Sequence, residues 1–527
     1  MNKNILISVG LSLATFWAFQ YYWYKPTPAS GEVSLSANQA MPKPGEAIKV
    51  PVREDLFKPM KTAALFAPAT EGIASEEIVI DTPLRAVSIA TNGGGITNLS
   101  FKRYLGKDKQ ALQTTSSEAV TKSIPAFSLM FDEAAPLNYE VVQAEQPALN
   151  VVTLQAKYNG WLVTKEFTVD SESYKVDVVL RFEPIGQPAA ALNPRLFVGA
   201  PVVAEFGEDK PTTFMFNEHR NEVEKKTAGA EEGFIWYWQT KKALIGAQNK
   251  YFVHALTADQ DQFVQRAYFH RISSNEALQL VLEGPEIKEK ASWSLSFYLG
   301  PKVYSDLARV DDRLGTVFAG GWLASITKLM LKFLDFVTKY IKNLGFAIIV
   351  LAVLLKLPLV PLSIYSRIKM ERYQKHAPII TRIRAKFKND PQTQLQEVTR
   401  YHTEHNLSPS TPMIGCLPLF LQLPIMYSLY DILNNSIQLY QAPFFGWIFD
   451  LSAKDPFYVI PILMGVSMIW QQMMAPVNDE KQRVAMFFVS IVMTVVFAGL
   501  PVGLVLYWFI NNVLTIIEDY ARRLFFS

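Results

Sequence analysis

The sequence contains few of the residues that crosslink a chain or perform chemistry. Its 527 residues include one cysteine and six histidines, and 19% of them are charged. A single cysteine excludes a disulfide within the chain, so an exported domain would have to be stabilised by its own apolar core. The 50% hydrophobic content is too high for an ordinary soluble protein. The net charge of +3 says nothing about nucleic-acid binding by the chain as a whole, although local clusters of charge can.

Motifs for catalysis or metal binding are also missing. The sequence has no G-x-S-x-G nucleophile turn, P-loop or G-x-G-x-x-G. His402 and His405 have a ligand-like spacing, but no third histidine or cysteine lies near them in the sequence, which favours a surface helix over a zinc site. Cys416 lies in an apolar stretch, where a thiol is normally inert. We therefore expect neither an enzyme, nor a metal site, nor a bound cofactor.

Long apolar runs occur at the N-terminus and in the last third of the chain. Residues 5–23 end in tyrosine and tryptophan, which indicates an uncleaved transmembrane anchor (1–24) rather than a signal peptide. Five further runs lie at 344–362, 413–433, 457–474, 484–500 and 502–517. Because each approaches the length that crosses a bilayer, the sequence predicts a polytopic α-helical membrane protein with six transmembrane helices.

The region between these runs has the polarity of a soluble domain. Residues 25–75 are rich in proline and alanine, which is typical of a flexible tether. Within 76–320, apolar and polar residues alternate, for example at 174–182, and Asn159-Gly160 joins two such runs as a two-residue hairpin turn. This pattern predicts a large, antiparallel, all-β sandwich.

The period of the apolar residues changes before the first of the five later runs. In 321–343 they recur at helical spacing, with lysines on other faces, so we expect an amphipathic helix. Its position next to a membrane span favours a helix that lies in the membrane interface. The alternative is an ordinary helix packed on the β-sandwich.

Charge sets the orientation of the predicted spans. Residues 366–411 carry a large excess of basic side chains, so this segment is expected on the cytoplasmic side, with both termini. The sandwich then lies in the periplasm. A turn at 388–391, with Asp390 as the cap and Pro391 as the first residue of the second helix, predicts a helical hairpin.

The hairpin's cations are either simply solvated or a docking surface for acidic lipid headgroups or ribosomal RNA. The candidate docking residues are Arg367, Lys369, Arg372, Lys375, Arg382, Arg384, Lys386 and Lys388.

Lys356 is the most informative residue of the apolar runs. A lysine near the middle of a span costs roughly 2.5–3.5 kcal/mol on insertion scales, so it usually marks a site or a pathway. Gln422, Asn511 and Asn512 lie at a similar predicted depth, which indicates a hydrated cavity open to the cytoplasm. The alternatives are that Lys356 snorkels to the interface and that the amides form hydrogen bonds between helices.

Two segments carry a resemblance to a known family. They are GCLPLFLQLPIMYSLY (415–430) and LPVGLVLYWFINNVLTI (500–516), with a cation in an earlier span and a charged hairpin between. Together they resemble the YidC/Oxa/Alb membrane protein insertase family over about residues 320–523. The anchor and the large β-domain resemble the Gram-negative form by layout.

The resemblance implies a membrane protein insertase and chaperone of the bacterial inner membrane. By this resemblance, Lys356 matches the family's groove arginine and Gln422 also lines the groove. Tyr507 and Trp508 match an aromatic pair of the family. We add Asn511 to these candidate groove residues because of its predicted depth. The implied partners are nascent membrane proteins, the ribosome, the Sec translocon and membrane lipids, with no small-molecule substrate. The insertase core would be 344–527. The alternative from the residues alone is a solute transporter or channel with an intramembrane cationic site.

Overall fold

The computed structural model describes residues 75–526 with internal gaps. The gaps are 116–124, 132–136, 143–149, 187–190, 204–205, 207–210, 218–221, 228–235, 239–242, 271–277, 319–322, 409–410 and 475–479. The predicted anchor (1–24) and almost all of the predicted tether (25–75) therefore lie outside the described residues.

Strands occupy the first part of the described chain, which we call the β-domain (77–301). They are β1 (Glu77–Asp81), β2 (Arg85–Ala90), β3 (Gly95–Leu105), β4 (Ala111–Thr115), β5 (Ser128–Phe131), β6 (Glu140–Val142), β7 (Val151–Tyr158), β8 (Trp161–Val169), β9 (Lys175–Pro184), β10 (Pro194–Gly199), β11 (Thr212–Asn217), β12 (Glu222–Thr227), β13 (Trp236–Trp238), β14 (Ile245–Gln248), β15 (Phe252–Asp259), β16 (Arg266–His270), β17 (Gln279–Glu283) and β18 (Ala291–Pro301).

These strands form three sheets. Their orders are β1-β2-β3-β4, β13-β16-β17-β10-β5 and β12-β11-β14-β15-β18-β9-β8-β7-β6. The pairs within each sheet are antiparallel. The two smaller sheets pack on the large one through aromatic rings, with centroids 4.8 Å apart for Phe101 and Phe252 and 6.1 Å apart for Phe131 and Phe182. The prediction of a large antiparallel sandwich is confirmed.

Local sequence explains the strands and their turns. In β9, alternate residues from Val176 to Phe182 are fully buried, as a period of two requires. Tyr158 pairs with Trp161, and the residues between them, Asn159 and Gly160, have φ angles of 46° and 79°. Positive φ at both positions is the mark of a type I′ hairpin turn, which asparagine and glycine favour. The predicted hairpin is confirmed.

Two buried cations, neither of them among the candidate functional residues, brace the sandwich. Arg85 donates to the carbonyl oxygens of Leu299 and Lys175, the latter at 2.9 Å. Lys165 donates to the carbonyl oxygens of Gly94 and Phe127, the latter at 2.5 Å. Burial lowers the pKa of Arg85 to about 10 and that of Lys165 well below its usual value. Each cation therefore depends on backbone dipoles rather than on a carboxylate.

Helices follow the β-domain. They are α1 (Tyr304–Val310), α2 (Gly315–Phe318), α3 (Ala324–Ile341), α4 (Leu344–Lys356), α5 (Val360–Lys386), α6 (Pro391–Glu404), α7 (Thr411–Asn435), α8 (Val459–Met474), α9 (Glu480–Ala498) and α10 (Val502–Phe526). Short 3₁₀ turns lie at Leu357–Leu359 and Ile437–Leu439. Of the described helical stretches, Leu344–Lys386 and Val502–Leu524 are long and apolar enough to cross a membrane, and Val459–Met474 and Arg483–Ala498 are shorter apolar helices.

The predicted hairpin is present and is continuous with the preceding apolar helix. Only the 3₁₀ turn at Leu357–Leu359 separates α4 from α5, so the helical path runs from the apolar run into the basic segment. Asp390 caps α6 by accepting hydrogen bonds from the amides of Gln392 and Thr393, as predicted, and Pro391 is the first helical residue. Ile380 and Val398 form a small core between the two helices.

Helix α3 packs on the helical region and not simply on the β-domain. Its buried residues include Met330, Leu334 and Val337, and the helix contacts α1, α4 and α7. A second apolar stripe, with Phe336 and Tyr340, stays exposed. The helix is therefore apolar on two faces, and its predicted position in the membrane interface remains a prediction.

The β-domain and the helices meet at a described junction. The ring of Tyr440 lies 5.2 Å from that of Phe206 and 5.5 Å from that of Tyr251, both of the β-domain. On α3, the Asp335 carboxylate accepts hydrogen bonds from Gln438, in the 3₁₀ turn after α7, and from Ser305 of α1, the helix that directly follows the β-domain. These contacts dock the sandwich onto the end of α7.

Asp335 makes this junction sensitive to pH. Burial raises the pKa of its carboxyl from 3.8 to about 6, and the nearby Asp306 carboxylate adds repulsion. Because the folded-state pKa lies above the unfolded one, the carboxyl costs stability once it ionises, and stability falls as pH rises from about 4 to about 6. We expect Asp335→Asn to stabilise the protein by roughly 1–3 kcal/mol at pH 8 and to leave it unchanged near pH 4.

Thermal unfolding of the detergent-solubilised chain at both pH values measures the effect. Asp312→Asn, at an exposed carboxyl, is the matched control and should shift neither midpoint. An equal gain for Asp335→Asn at both pH values would contradict the assignment, since a protonated carboxyl has no charge to relieve.

Candidate functional site

Lys356 lies at the end of α4 and is paired with the last helix. Its Nζ donates to Thr515 Oγ1 at 2.9 Å and lies 3.3 Å from Glu518 Oε2. The side chains of Lys356 and Glu518 are 14% and 4% exposed. Lys356 is therefore not the lone cation that the sequence predicts: that prediction is wrong, because Glu518 lies within the same apolar bundle and neutralises the charge.

A line of polar residues runs down one face of α10. Tyr507, Asn511, Thr515 and Glu518 are spaced by four, four and three residues, which places them on the same side of a helix. Gln422 of α7 donates to the Tyr507 hydroxyl at 2.7 Å. We call this set with Lys356 the polar seam: Lys356, Gln422, Tyr507, Asn511, Thr515 and Glu518.

Gln422 and Lys356 do not lie at the common depth that we expected. Gln422 contacts α10 at Tyr507, whereas Lys356 contacts it at Thr515 and Glu518. Eight residues of helix, or about 12 Å at 1.5 Å per residue, separate Tyr507 from Thr515. The contacts of Gln422 and Lys356 therefore lie about two turns apart on α10 rather than at a single level.

Trp508 and Asn512 point to a different side of α10. The Trp508 ring lies 4.9 Å from Phe497 of α9. The Asn512 side chain donates to Ser467 Oγ at 2.9 Å, and the backbone carbonyl oxygen of Asn512 accepts from Gln471 Nε2 at 2.9 Å. Asn512 thus takes the alternative role of a hydrogen bond between helices. Trp508 is separated from Tyr507 because consecutive residues on a helix point about 100° apart.

Further ion pairs join the hairpin to the last helix. Arg367 of α5 pairs with Asp519, whose side chain is 1% exposed. Arg522 donates to both oxygens of Glu371, at 3.0 and 2.5 Å. A two-bond contact between a guanidinium and a carboxylate fixes both partners in orientation. Arg367, a candidate docking cation, therefore helps to hold the base of the hairpin.

The other candidate docking cations lie on the surface of the hairpin. Arg372 also donates to the carbonyl oxygen of His405 at 3.2 Å, which joins the two hairpin helices. The exposed cations are Lys369, Arg372, Lys375, Arg382, Arg384, Lys386 and Lys388. His402 is buried beside Tyr373 of α5, while most of α6 stays at the surface, as expected.

The fold and the site together define a class of protein. It is an integral membrane protein that combines a large β-sandwich with apolar helices crossed by a charged, polar seam, and that carries a basic helical hairpin.

Comparison with known proteins gives the family. The chain matches the family described as 60Kd inner membrane protein over residues 336–525 and the YidC periplasmic domain over residues 77–333. It is 30% identical over 544 residues to a membrane protein insertase YidC of Geobacter metallireducens, covering 98% of each chain. It is 29% identical over 558 residues to that of Syntrophus aciditrophicus, covering 99% of each. The chain therefore belongs to the YidC family of membrane protein insertases.

A solved structure of an active YidC insertase is also similar. It is 17% identical to this chain, covers 85% of it and 93% of its own length, and aligns with a TM-score of 0.38. The predicted family and function are confirmed by the relatives: the protein is an inner-membrane insertase, not an enzyme, and its clients are nascent membrane proteins. The β-domain is its periplasmic domain. The transporter or channel alternative is thereby set aside.

The hydrogen bond between Gln422 and Tyr507 should stabilise the contact between α7 and α10. We expect Tyr507→Phe and Gln422→Leu to show a coupling free energy of about 0.6 kcal/mol, and at most about 1.7, as for other hydrogen bonds between membrane helices. A double-mutant cycle on unfolding in bicelles measures it. Gln422→Leu combined with Ser490→Ala, whose hydroxyl bonds Gln472, is the control and should be additive. Additivity of the first pair would contradict the bond.

Proposed function

We propose that this insertase moves polar segments of its clients along the polar seam, which acts as a hydrophilic groove open to the cytoplasm and to lipid. The observation that carries the proposal is a mostly buried lysine, Lys356, bonded to polar side chains between otherwise apolar helices. In a membrane protein such a charge normally marks a pathway or a site. Gln422, Tyr507 and Asn511 continue the polar surface along α10. Trp508 is proposed as a contact for the client from the neighbouring face.

The chain is proposed to cross the membrane six times, with both termini in the cytoplasm. The N-terminal anchor (1–24) supplies one crossing, and the core (344–527) supplies five. The tether (25–75), the sandwich (76–320) and the interfacial helix (321–343) lie between them on the periplasmic side. The exposed basic residues of the hairpin support this orientation, because cationic segments stay on the cytoplasmic side.

The physical role of the groove is to lower a barrier. A charged or strongly polar segment costs several kcal/mol to carry through hydrocarbon, and the cost grows with the length of the dry path. Hydroxyl and amide groups in the seam replace part of the lost hydration, and the ammonium of Lys356 attracts carboxylates. The exposed apolar surface beside the seam, at Leu354, Leu357 and Ile517, can receive the client's hydrophobic segment.

The hairpin is proposed as the docking element for ribosomes and for anionic lipids, with the Sec translocon as a further partner. Its exposed cations face solvent on a pair of helices that pack on each other. Dense positive charge of this kind binds phosphate backbones and headgroups by releasing counterions.

The charge of Lys356, rather than its shape, should decide which clients insert well. We expect Lys356→Arg to keep the preference for clients with acidic translocated segments. Lys356→Leu combined with Glu518→Gln, which leaves no unpaired carboxylate, should lower insertion of those clients three- to tenfold, as loss of about 1 kcal/mol of attraction implies. The measurement is protease protection after insertion into liposomes of a client with two aspartates or two asparagines in its translocated segment.

Access to water at this position can be tested separately. Lys356→Cys in a Cys416→Ser background should react with a polar thiol reagent added from the cytoplasmic side. Labelling from the periplasmic side alone would overturn the groove. So would equal insertion of the aspartate and asparagine clients by the original chain.

Reversal of the exposed hairpin charges should weaken ribosome binding. We expect the combined Lys375→Glu, Arg382→Glu, Arg384→Glu and Lys388→Glu chain to lose at least about tenfold in affinity at 0.15 M salt and to depend less on salt, because fewer counterions are released. The matched control reverses four exposed lysines of the β-domain, Lys107, Lys109, Lys288 and Lys290. If ribosome affinity is the same in both chains, the hairpin is not the docking element.

A further inference from the structure

Glu518 gives the groove cation a partner of its own. Its Oε2 lies 3.3 Å from Lys356 Nζ, and its side chain is 4% exposed. The other charges around it are already matched: Asp519 pairs with Arg367, and Arg522 with Glu371. In this conformation the positive charge that would attract a client is therefore locally neutralised.

The contact is weaker than its neighbours. At 3.3 Å it is longer than a well-formed hydrogen bond of a charged pair, which is about 2.7–2.9 Å. Neither Glu518 oxygen has a well-formed hydrogen bond from another described residue. By contrast, Arg522 holds Glu371 with two bonds, at 3.0 and 2.5 Å. A buried carboxylate with a single, long contact loses its hydration, and that contact does not fully offset the free energy of desolvation.

We propose that Glu518 is a resident counter-ion that occupies Lys356 until the carboxylate of a client displaces it. The inference rests on the proposed role of Lys356 as the groove cation. When a client carboxylate approaches, Lys356 exchanges one anionic partner for another, while Thr515 keeps its hydrogen bond to Nζ. Glu518 then sets how strongly acidic a client must be.

The geometry allows this exchange without unfolding. Lysine is a point charge on a flexible stem of four carbons, so Nζ can turn between two carboxylates. Lys356 keeps 14% of its side chain exposed, and Leu357, which follows it in the chain, is exposed, so the lysine end of the pair lies near the edge of the bundle. The two arginine pairs hold α5 to α10 while the weaker pair opens.

The exchange predicts a selective gain of function. With Glu518→Gln, Lys356 has no resident anion, so a client with a single translocated aspartate should insert about fivefold faster at limiting client concentration, the factor that release of a modest ion pair provides. The matching asparagine client is the reference, and the ratio of the aspartate rate to the asparagine rate should rise by the same factor. Glu183→Gln removes the carboxylate of another Glu–Lys pair, with Lys290 on the β-domain, and should change neither rate.

The experiment uses the purified full chain in liposomes, with insertion scored by protease protection. An unchanged or reduced rate for the aspartate client, in a Glu518→Gln chain with a normal unfolding midpoint, would overturn the proposal and show Glu518 to be a structural partner. If Glu518→Gln accumulates poorly, Glu518→Asp, which keeps the charge but withdraws it by one methylene, should give a smaller gain of the same sign; no gain there would also overturn it.

Two different outcomes separate the counter-ion role of Glu518 from the groove role of Lys356. If Lys356→Leu with Glu518→Gln removes the preference for aspartate clients while Glu518→Gln alone has no effect, Lys356 is the groove cation and Glu518 is not its competitor. If the preference survives without Lys356, the proposed function fails and the inference fails with it.

Discussion

The arrangement of the helices depends on one constraint, the pairing of charges between α10 and the helices α4 and α5. An unpaired charge between apolar helices costs several kcal/mol, so each cation there needs an anion. Lys356 meets Glu518, Arg367 meets Asp519, and Arg522 meets Glu371. These contacts fix α10 against α4 and α5, and so position the polar seam relative to the basic hairpin. The periplasmic domain then docks on the opposite part of the bundle, around Tyr440.

Much of the fold could be predicted because it follows from local chemistry. Asn159-Gly160 adopts the positive φ angles of a hairpin turn, and Asp390 caps α6, since both depend on a few neighbouring residues. The alternation in β9 requires only that one face be buried. The family was also predictable, because the two apolar segments at 415–430 and 500–516 are specific.

Other features could not be predicted because they depend on distant partners. Lys165 shares the buried face of β8 with Trp161 and Phe167, so the alternation itself places it inward, but its partners could not be read from the sequence because they are backbone carbonyls of a turn 71 residues away. Glu518 could have been found, since it continues the spacing of Tyr507, Asn511 and Thr515; it was overlooked because it lies just past the apolar run. Trp508 was grouped with Tyr507 by resemblance, although adjacent helical residues face different neighbours.

The choice of lysine at position 356 is consistent with its glutamate partner. The resemblance implies an arginine at this place in the family, and an arginine opposite Glu518 could form two parallel bonds, as Arg522 does with Glu371. Such a contact is specific in geometry and slow to exchange, which suits a structural clamp. A lysine offers the same charge without the planar fork, so its pairing with a carboxylate is easier to replace. The ion pairs of this interface thus have different roles. The pairs formed by Arg367 and Arg522 hold α5 to α10, and the pair formed by Lys356 is the one that a client can open.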